Sequence, residues 1–294
     1  MAAGKVSNDA RIRRLAHMAG KRVGFVGLGE MGKPMAVNLV KRGFEVAVIG
    51  HVRPEPVEEL RDLGAGVAAS LRQLAAASDF VFTCVKDHRQ TQEVVFGQDG
   101  LWEGLKAGSA LIVASTLEPA FMRELWRKGK ERRVAVLDAP ISGGARGAQE
   151  GTLTIMVGGD EEDFESCRPV LEAVGKDISY MGPSGCGMVA KVVNNAVMAV
   201  TLSAVIECLT FGAKAGVKRE RLVEVLRTGT GRSQVVENLA KYEYRLKSGR
   251  SFIGKDLGIL LDFSREIGAK LPTVGLVSQL DLPDKWAKME SVSG

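Results

Sequence analysis

The N-terminal part of the chain carries short apolar blocks separated by polar, periodic stretches. Arg22 to Gly27, Phe44 to Ile49, Gly66-Val67, Asp79 to Val85, Ala110 to Ala114, Val134 to Ala139, Leu153 to Val157 and Ile178 to Met181 read as strands, short runs rich in β-branched and aromatic residues. Between them, Met31 to Arg42, Pro54 to Leu63 and Leu71 to Ala77 carry helical periodicity, and Gly43 and Gly64 stop the first two. The strand blocks are apolar at consecutive rather than alternate positions, as a sheet covered on both faces requires. Strands alternating with helices predict an α/β fold built on a doubly wound parallel sheet.

After Gly182-Pro183 the pattern becomes helical almost to the end. The stretch Met188 to Ala215 is apolar nearly all round and would span roughly 40 Å at the rise of an α-helix. Helices over Arg219 to Leu226, Gln234 to Leu246 and Ile253 to Ile267 and a short tail follow. The reading is a sheet domain over residues 20–182 and an all-helical domain over 183–294. A helix apolar on every side must be buried on more than one, and a helical domain of about 110 residues cannot enclose it. A second copy of the chain is therefore expected against Met188–Ala215, in a homodimer or homotetramer.

The net charge of +5 is spread along the chain, and aromatics make up only 5% of it, which argues against a nucleic-acid surface and favours small anionic ligands. The densest basic run, Arg123 to Arg133, includes Glu124, Leu125 and Trp126 and reads as a solvated helix face. Cys84, Cys167, Cys186 and Cys208 show no CxxC spacing, and His17, His51 and His88 are far apart, so no metal site is expected. Lys191, Asn194, Asn195, Glu207 and Lys214 interrupt the apolar stretch Ala190 to Gly216, so no membrane span is expected. The cysteines read as reduced structural thiols, and a cytoplasmic protein is expected. The basic residues 1–22 read as a frayed extension, with Met18 a candidate start; an organellar transit peptide within residues 1–20 is the lesser reading.

Three constellations carry chemistry. The first is Gly27-Leu28-Gly29-Glu30-Met31-Gly32, which follows a strand and opens a helix. In that context the first glycine permits the turn, the second lets backbone approach a pyrophosphate, and the third allows close helix–strand packing. The helix N-terminus then presents N–H groups to phosphate. The next strand ends at Ile49-Gly50-His51-Val52-Arg53, with no carboxylate before Glu55. An acidic residue there would bind a ribose 2′-hydroxyl and repel a 2′-phosphate, so its absence favours NADP(H) over NAD(H). The second constellation is Asp138-Ala-Pro-Ile-Ser-Gly-Gly144 after a strand, whose Ser-Gly-Gly turn bares backbone N–H groups suited to a carboxylate. The third is Gly182-Pro-Ser-Gly-Cys-Gly187 followed by Lys191 and Asn195, four residues apart and so on one helix face. A lysine held in an otherwise dry wall is pushed toward neutrality, which a proton-transfer group needs.

Together with Lys255-Asp-Leu257, these motifs resemble the β-hydroxyacid dehydrogenase family, which includes 3-hydroxyisobutyrate dehydrogenase, tartronate semialdehyde reductase and glyoxylate/succinic semialdehyde reductase. The resemblance runs from about Lys21 to Pro272. It implies a Rossmann domain joined by a long helix to an all-α domain, an NAD(P) cofactor and a small carboxylate-bearing substrate. It further implies Lys191 as general acid/base, Asn195 as its orienting neighbour, and Ser142, Gly143 and Gly144 as the carboxylate site. Lys255 would reach cofactor or substrate from the helical domain, and Val85, Lys86 and Thr116 would line the nicotinamide. The chain departs from the family at Gly50-His51, where Asn-Arg is frequent, at Lys86, where proline is usual, and at Ala114, where aspartate is usual. It also ends on Leu280-Asp-Leu-Pro-Asp-Lys-Trp-Ala-Lys288 and a few further residues, where the family continues with another helix. Three rival readings are weaker. An imine reductase of the same architecture carries Asp or Tyr where Lys191 stands, 6-phosphogluconate dehydrogenase is longer and needs more phosphate contacts, and a non-catalytic binding module would have lost the lysine.

Overall fold

A computed structural model of the chain describes residues 20–50, 53–241 and 250–280. The N-terminal extension with Met18, the pair His51-Val52, and the tail from Asp281 lie outside the described residues. The chain divides into two compact units between Lys191 and Val192.

The first unit runs β1 (Arg22–Val26), α1 (Gly32–Lys41), β2 (Glu45–Val48), α2 (Glu55–Asp62), β3 (Gly66–Val67), α3 (Leu71–Ala76), β4 (Phe80–Thr83), α4 (His88–Phe96), α5 (Leu101–Gly104) and β5 (Ala110–Val113). It continues with α6 (Pro119–Arg132), β6 (Ala135–Asp138), β7 (Ile141–Ser142), α7 (Gly144–Glu150), β8 (Leu153–Gly158), α8 (Glu161–Val174) and β9 (Gly175–Gly182). The nine strands form one sheet in the order β3-β2-β1-β4-β5-β6-β8-β7, with β9 on β8. The strands from β3 through β6 pair in parallel. The expected doubly wound parallel sheet is thus present, and beyond it the sheet turns mixed: β8 runs antiparallel to β6 and β7, and parallel to β9. An apolar run tells which faces are buried, and it says nothing about strand direction.

The consecutive apolar positions of the strands serve two faces. Phe80 and Phe82 of β4, with Ala110 and Ile112 of β5, join one core with Phe25, Met35, Leu39 and Phe164. Val81, Leu111 and Val113 point the other way, into a core with Leu74, Met122 and Met188. Burying each large side chain contributes about 1.5–3 kcal/mol, so both faces are firmly covered.

The second unit contains most of α9 (Cys186–Lys214), then α10 (Arg219–Thr228), α11 (Gln234–Lys241), α12 (Arg250–Glu266) and α13 (Pro272–Ser278). Val192, Ala196 and Ala199 of α9 pack with Leu257, Ile259, Leu260 and Val277, while Val205 and Leu209 pack with Val236. Among the described residues α9 is the one helix long and apolar enough to cross a membrane, by length and composition. Its buried stripe against α12 and α13 is that of a core helix. Val193, Val197 and Phe211 on α9 are exposed, Phe211 at 75%.

Candidate active site

The glycine loop closes β1 and opens α1. Gly27 has φ +98°, and a Cβ on it would sit 2.2 Å from the carbonyl oxygen of Cys84. A Cβ on Gly32 would lie 1.9 Å from the carbonyl oxygen of Gly27, so the helix packs on its own entry turn only with glycine there. Around Gly29, by contrast, nothing lies within 4 Å of such a Cβ. An exposed backbone with open space beside it, at a helix N-terminus, fits a dinucleotide pyrophosphate. Leu28 and Met31 pack against the core, and Glu30 is exposed, so in this loop the backbone faces that space. Arg53 is exposed after β2, and its neighbour His51 lies outside the described residues.

The loops after β4 and β5 are clasped together. The Val85 N–H donates to Ser115 Oγ (2.9 Å), and the same hydroxyl donates to the Val85 carbonyl (2.8 Å). His88 Nδ1 sits 2.5 Å from Glu118 Oε2, and its ring lies 4.5 Å from that of Phe121. Thr116 is half-buried beside Ser115, while Lys86 is exposed and its N–H donates to Gln90 Oε1 (2.9 Å). The Ser115 and His88–Glu118 links escaped sequence reading, because only the fold brings those loops together.

Ser142 ends β7 half-buried, and the two following glycines both have positive φ, +128° at Gly143 and +63° at Gly144. Those angles lie in the region that favours glycine, at the head of α7. The far end of α7 is anchored: Asn38 on α1 donates to the Ala148 carbonyl at 2.7 Å. The glycine-loop helix and the Ser-Gly-Gly turn are thus fastened to each other.

Asp138, the last residue of β6, is fully buried. Its Oδ1 accepts the Gly185 N–H at 2.8 Å and its Oδ2 the Met188 N–H at 3.0 Å. Burial pushes the Asp138 carboxyl up from its ordinary range, against the downward pull of these backbone donors. Lys191 follows one turn later on α9, half-buried.

In the second unit Asn195 is 3% exposed, and its Nδ2 donates to Oδ2 of the buried Asp256 at 2.5 Å. Asn194 Nδ2 donates to Asn195 Oδ1 at 3.1 Å, so the amide is held from both ends. Lys255 Nζ lies 3.6 Å from Asp256 Oδ1. Asp256 received no role from the sequence, although a carboxylate beside a lysine on an apolar helix was the available signal.

A largely parallel sheet with a glycine-rich first turn, in a chain whose second unit is helical, has the form of a dinucleotide-dependent oxidoreductase. Residues 22–182 match the NAD-binding domain of 6-phosphogluconate dehydrogenase, and residues 185–282 the NAD-binding domain of NADP-dependent 3-hydroxyisobutyrate dehydrogenase. The chain is 36% identical over 267 residues to 2-(hydroxymethyl)glutarate dehydrogenase of Eubacterium barkeri, covering 88% of this chain and 87% of that one. It is also 36% identical to 2-hydroxy-3-oxopropionate reductase of Escherichia coli, over 88% and 89% of the two chains. A solved structure of Mycobacterium tuberculosis 3-hydroxyisobutyrate dehydrogenase with L-serine superposes with a TM-score of 0.80 at 29% identity, over 93% and 94% of the chains. The chain belongs to the β-hydroxyacid dehydrogenase family of NAD(P)-dependent oxidoreductases.

Proposed function

We propose that the protein interconverts a β-hydroxy acid and its semialdehyde, with Lys191 as general acid/base and NADP(H) as the preferred cofactor. The observation that carries the reading is a half-buried lysine on an apolar helix, one turn before an asparagine held by Asn194 and Asp256. The names of the related enzymes support the substrate class. 2-(Hydroxymethyl)glutarate, 3-hydroxyisobutyrate and serine share a –CH2OH group on the carbon that bears the carboxylate, and 2-hydroxy-3-oxopropionate carries the aldehyde at that position.

When bound, the nicotinamide supplies or accepts a hydride at C4. In the oxidative direction Lys191 takes the hydroxyl proton, and in the reductive direction it returns a proton to the developing alkoxide. Asn195 donates a hydrogen bond to the same oxygen and holds it beside the lysine. The Ser142 hydroxyl and the N–H groups of Gly143 and Gly144 hold the carboxylate, which fixes the reacting carbon's distance from the anchor. Lys255 would add a cation for the cofactor or carboxylate, and Val85, Lys86 and Thr116 would hold the nicotinamide. Gly27, Gly29 and Gly32 seat the pyrophosphate by backbone. Arg53, exposed after β2, would meet a 2′-phosphate, and His51, outside the described residues, is assigned with it from the sequence alone; a charge-assisted hydrogen bond to that phosphate contributes about 1.5–3 kcal/mol.

The test is a spectrophotometric assay of 3-hydroxyisobutyrate, L-serine and 2-(hydroxymethyl)glutarate with NADP+ and NAD+, and of 2-hydroxy-3-oxopropionate with the reduced cofactors. Turnover of at least one is expected, while lactate, whose hydroxyl is one carbon nearer the carboxylate, is inert. Activity on lactate alone would rule out the β-hydroxy assignment. The kcat/KM for the NADP(H) couple is expected to exceed that for NAD(H) by roughly tenfold, and parity or the reverse would dismiss the preference.

The same reading makes the active species a homodimer or homotetramer assembled through α9, supported by the exposed Val193, Val197 and Phe211. Light scattering should give two or four times the chain mass of 31.5 kDa. Phe211→Asp should shift that mass to the monomer, and a monomeric unaltered protein would refute the assembly.

A further inference from the structure

Asp138 opens the Asp-Ala-Pro-Ile-Ser-Gly-Gly144 segment, yet neither cofactor nor substrate binding gives it a task. Its carboxylate is spent on the protein's own backbone. The Gly185 and Met188 N–H groups bond its two oxygens at 2.8 and 3.0 Å, and the Gly187 N–H adds to them. These are donors of the opening turn of α9, where an α-helix has no internal partners for its first N–H groups. The residue before the helix is Gly185, with φ +91° and no side chain to cap with. The Cys186 N–H goes to the Pro183 carbonyl at 3.0 Å. The cap that Ser, Thr, Asn or Asp supplies locally in most helices comes here from a strand 47 and 50 residues upstream.

Room for the carboxylate is built in. A Cβ on Gly187 would stand 2.8 Å from Asp138 Oδ2 and 2.4 Å from the Met156 carbonyl oxygen, and one on Gly158 would stand 2.5 Å from Oδ2. Lys191 lies four residues past Gly187 and three past Met188, on the helix face those spacings share. The turn bearing Ser142 begins four residues past Asp138.

We propose that Asp138 is a positioning residue: its carboxylate fixes the axial register and rotation of the first turn of α9, and so sets Lys191 relative to the Ser142-Gly143-Gly144 turn. The inference rests on the reading of Lys191 as the proton-transfer group. One side chain is then the joint from which both the proton-transfer group and the carboxylate anchor hang. A displacement of about 1 Å at such a joint is enough to cost roughly 10²-fold in rate.

Amide hydrogen exchange of the unaltered protein comes first. The Gly187 and Met188 amides should be protected, and exchange as fast as a frayed helix end would overturn the proposal. Asp138→Asn keeps the shape but replaces one acceptor with an NH2 group. It should speed exchange of those two amides by about tenfold or more. With the most active compound of the panel it should lower kcat by about 10²-fold, with KM and cofactor Kd changed by no more than roughly threefold. Combined with Lys191→Ala, it should lower kcat no further than Lys191→Ala alone. Gly187→Ala, which crowds the carboxylate from the other side, should repeat the pattern. Unchanged exchange, multiplicative kcat losses, or an equal loss of cofactor affinity would each overturn the proposal. If Lys191→Ala collapses turnover while Asp138→Asn leaves kcat intact, the positioning role fails and the lysine reading stands. If Lys191→Ala itself retains turnover, the lysine reading falls and takes the positioning role with it.

Discussion

Lys191→Ala is expected to lower kcat by about 10²–10⁴-fold, the usual contribution of a proton-transfer group in the transition state, with cofactor affinity nearly unchanged. The lysine stands on α9, away in sequence from the glycine loop, whose backbone N–H groups are the proposed cofactor seat. Its removal therefore acts on the chemical step and leaves the cofactor seat alone. Lys191→Arg separates charge from proton transfer: guanidinium keeps the cation but does not deprotonate in a protein, so kcat should stay low. Steady-state kinetics, with cofactor Kd from fluorescence titration, give both quantities. An alanine variant within tenfold of the unaltered kcat, or an active arginine variant, would remove Lys191 from the proton-transfer role.

The second large effect separates two glycines of one motif. Gly32→Ala places a methyl 1.9 Å from a backbone oxygen and 3.0 Å from a ring carbon of Phe25. Backbone cannot move aside as a flexible side chain can, so the entry turn must open. A stability loss of about 1–3 kcal/mol, the scale of overpacking, is expected, together with cofactor Kd raised by about 10²-fold or more as pyrophosphate hydrogen bonds are lost. Gly29→Ala meets nothing in the protein within 4 Å. Its stability should stay within about 0.5 kcal/mol, and its cofactor affinity should fall all the same, because the methyl occupies the space the phosphates need. Urea denaturation and fluorescence titration of the two variants give a two-by-two outcome. Gly29→Ala binding cofactor as tightly as the unaltered chain would exclude this loop as the pyrophosphate seat.

The parts of the molecule that sequence reading reached are those where the physics is local. β4 and β5 are buried at all four positions, so unbroken apolar runs announced them, although their ends came one or two residues inside the blocks. The glycine loop was legible because strand, turn and helix follow one another directly. Lys191 was legible because it breaks an apolar helix. What stayed hidden depends on distant partners or on weak periodicity. α4 buries only Thr91 and Val95, so its sequence reads as polar. α8 holds Pro169 in its interior, which argues locally against a helix, and the burial of Phe164, Val170 and Leu171 outweighs that cost. The two residues of β7 are too few for any pattern. The Asp138 carboxylate was visible as a residue, but its partners are backbone N–H groups far along the chain, and backbone carries no sequence signal.

The bond from Asn38 to the Ala148 carbonyl bears on how new specificities can be engineered in this scaffold. A graft of the 138–151 segment from another member of the family would bring its own turn geometry, but its helix would still have to present a carbonyl to Asn38. In this chain the segment and Asn38 therefore act as one discontinuous unit. On the proposed reading Asn38 rides on the helix that seats the pyrophosphate, and strain introduced at the Ser142-Gly143-Gly144 turn is expected to register in cofactor affinity. Selection for a new hydroxy acid would then register as altered cofactor binding even where no residue of the glycine loop has changed.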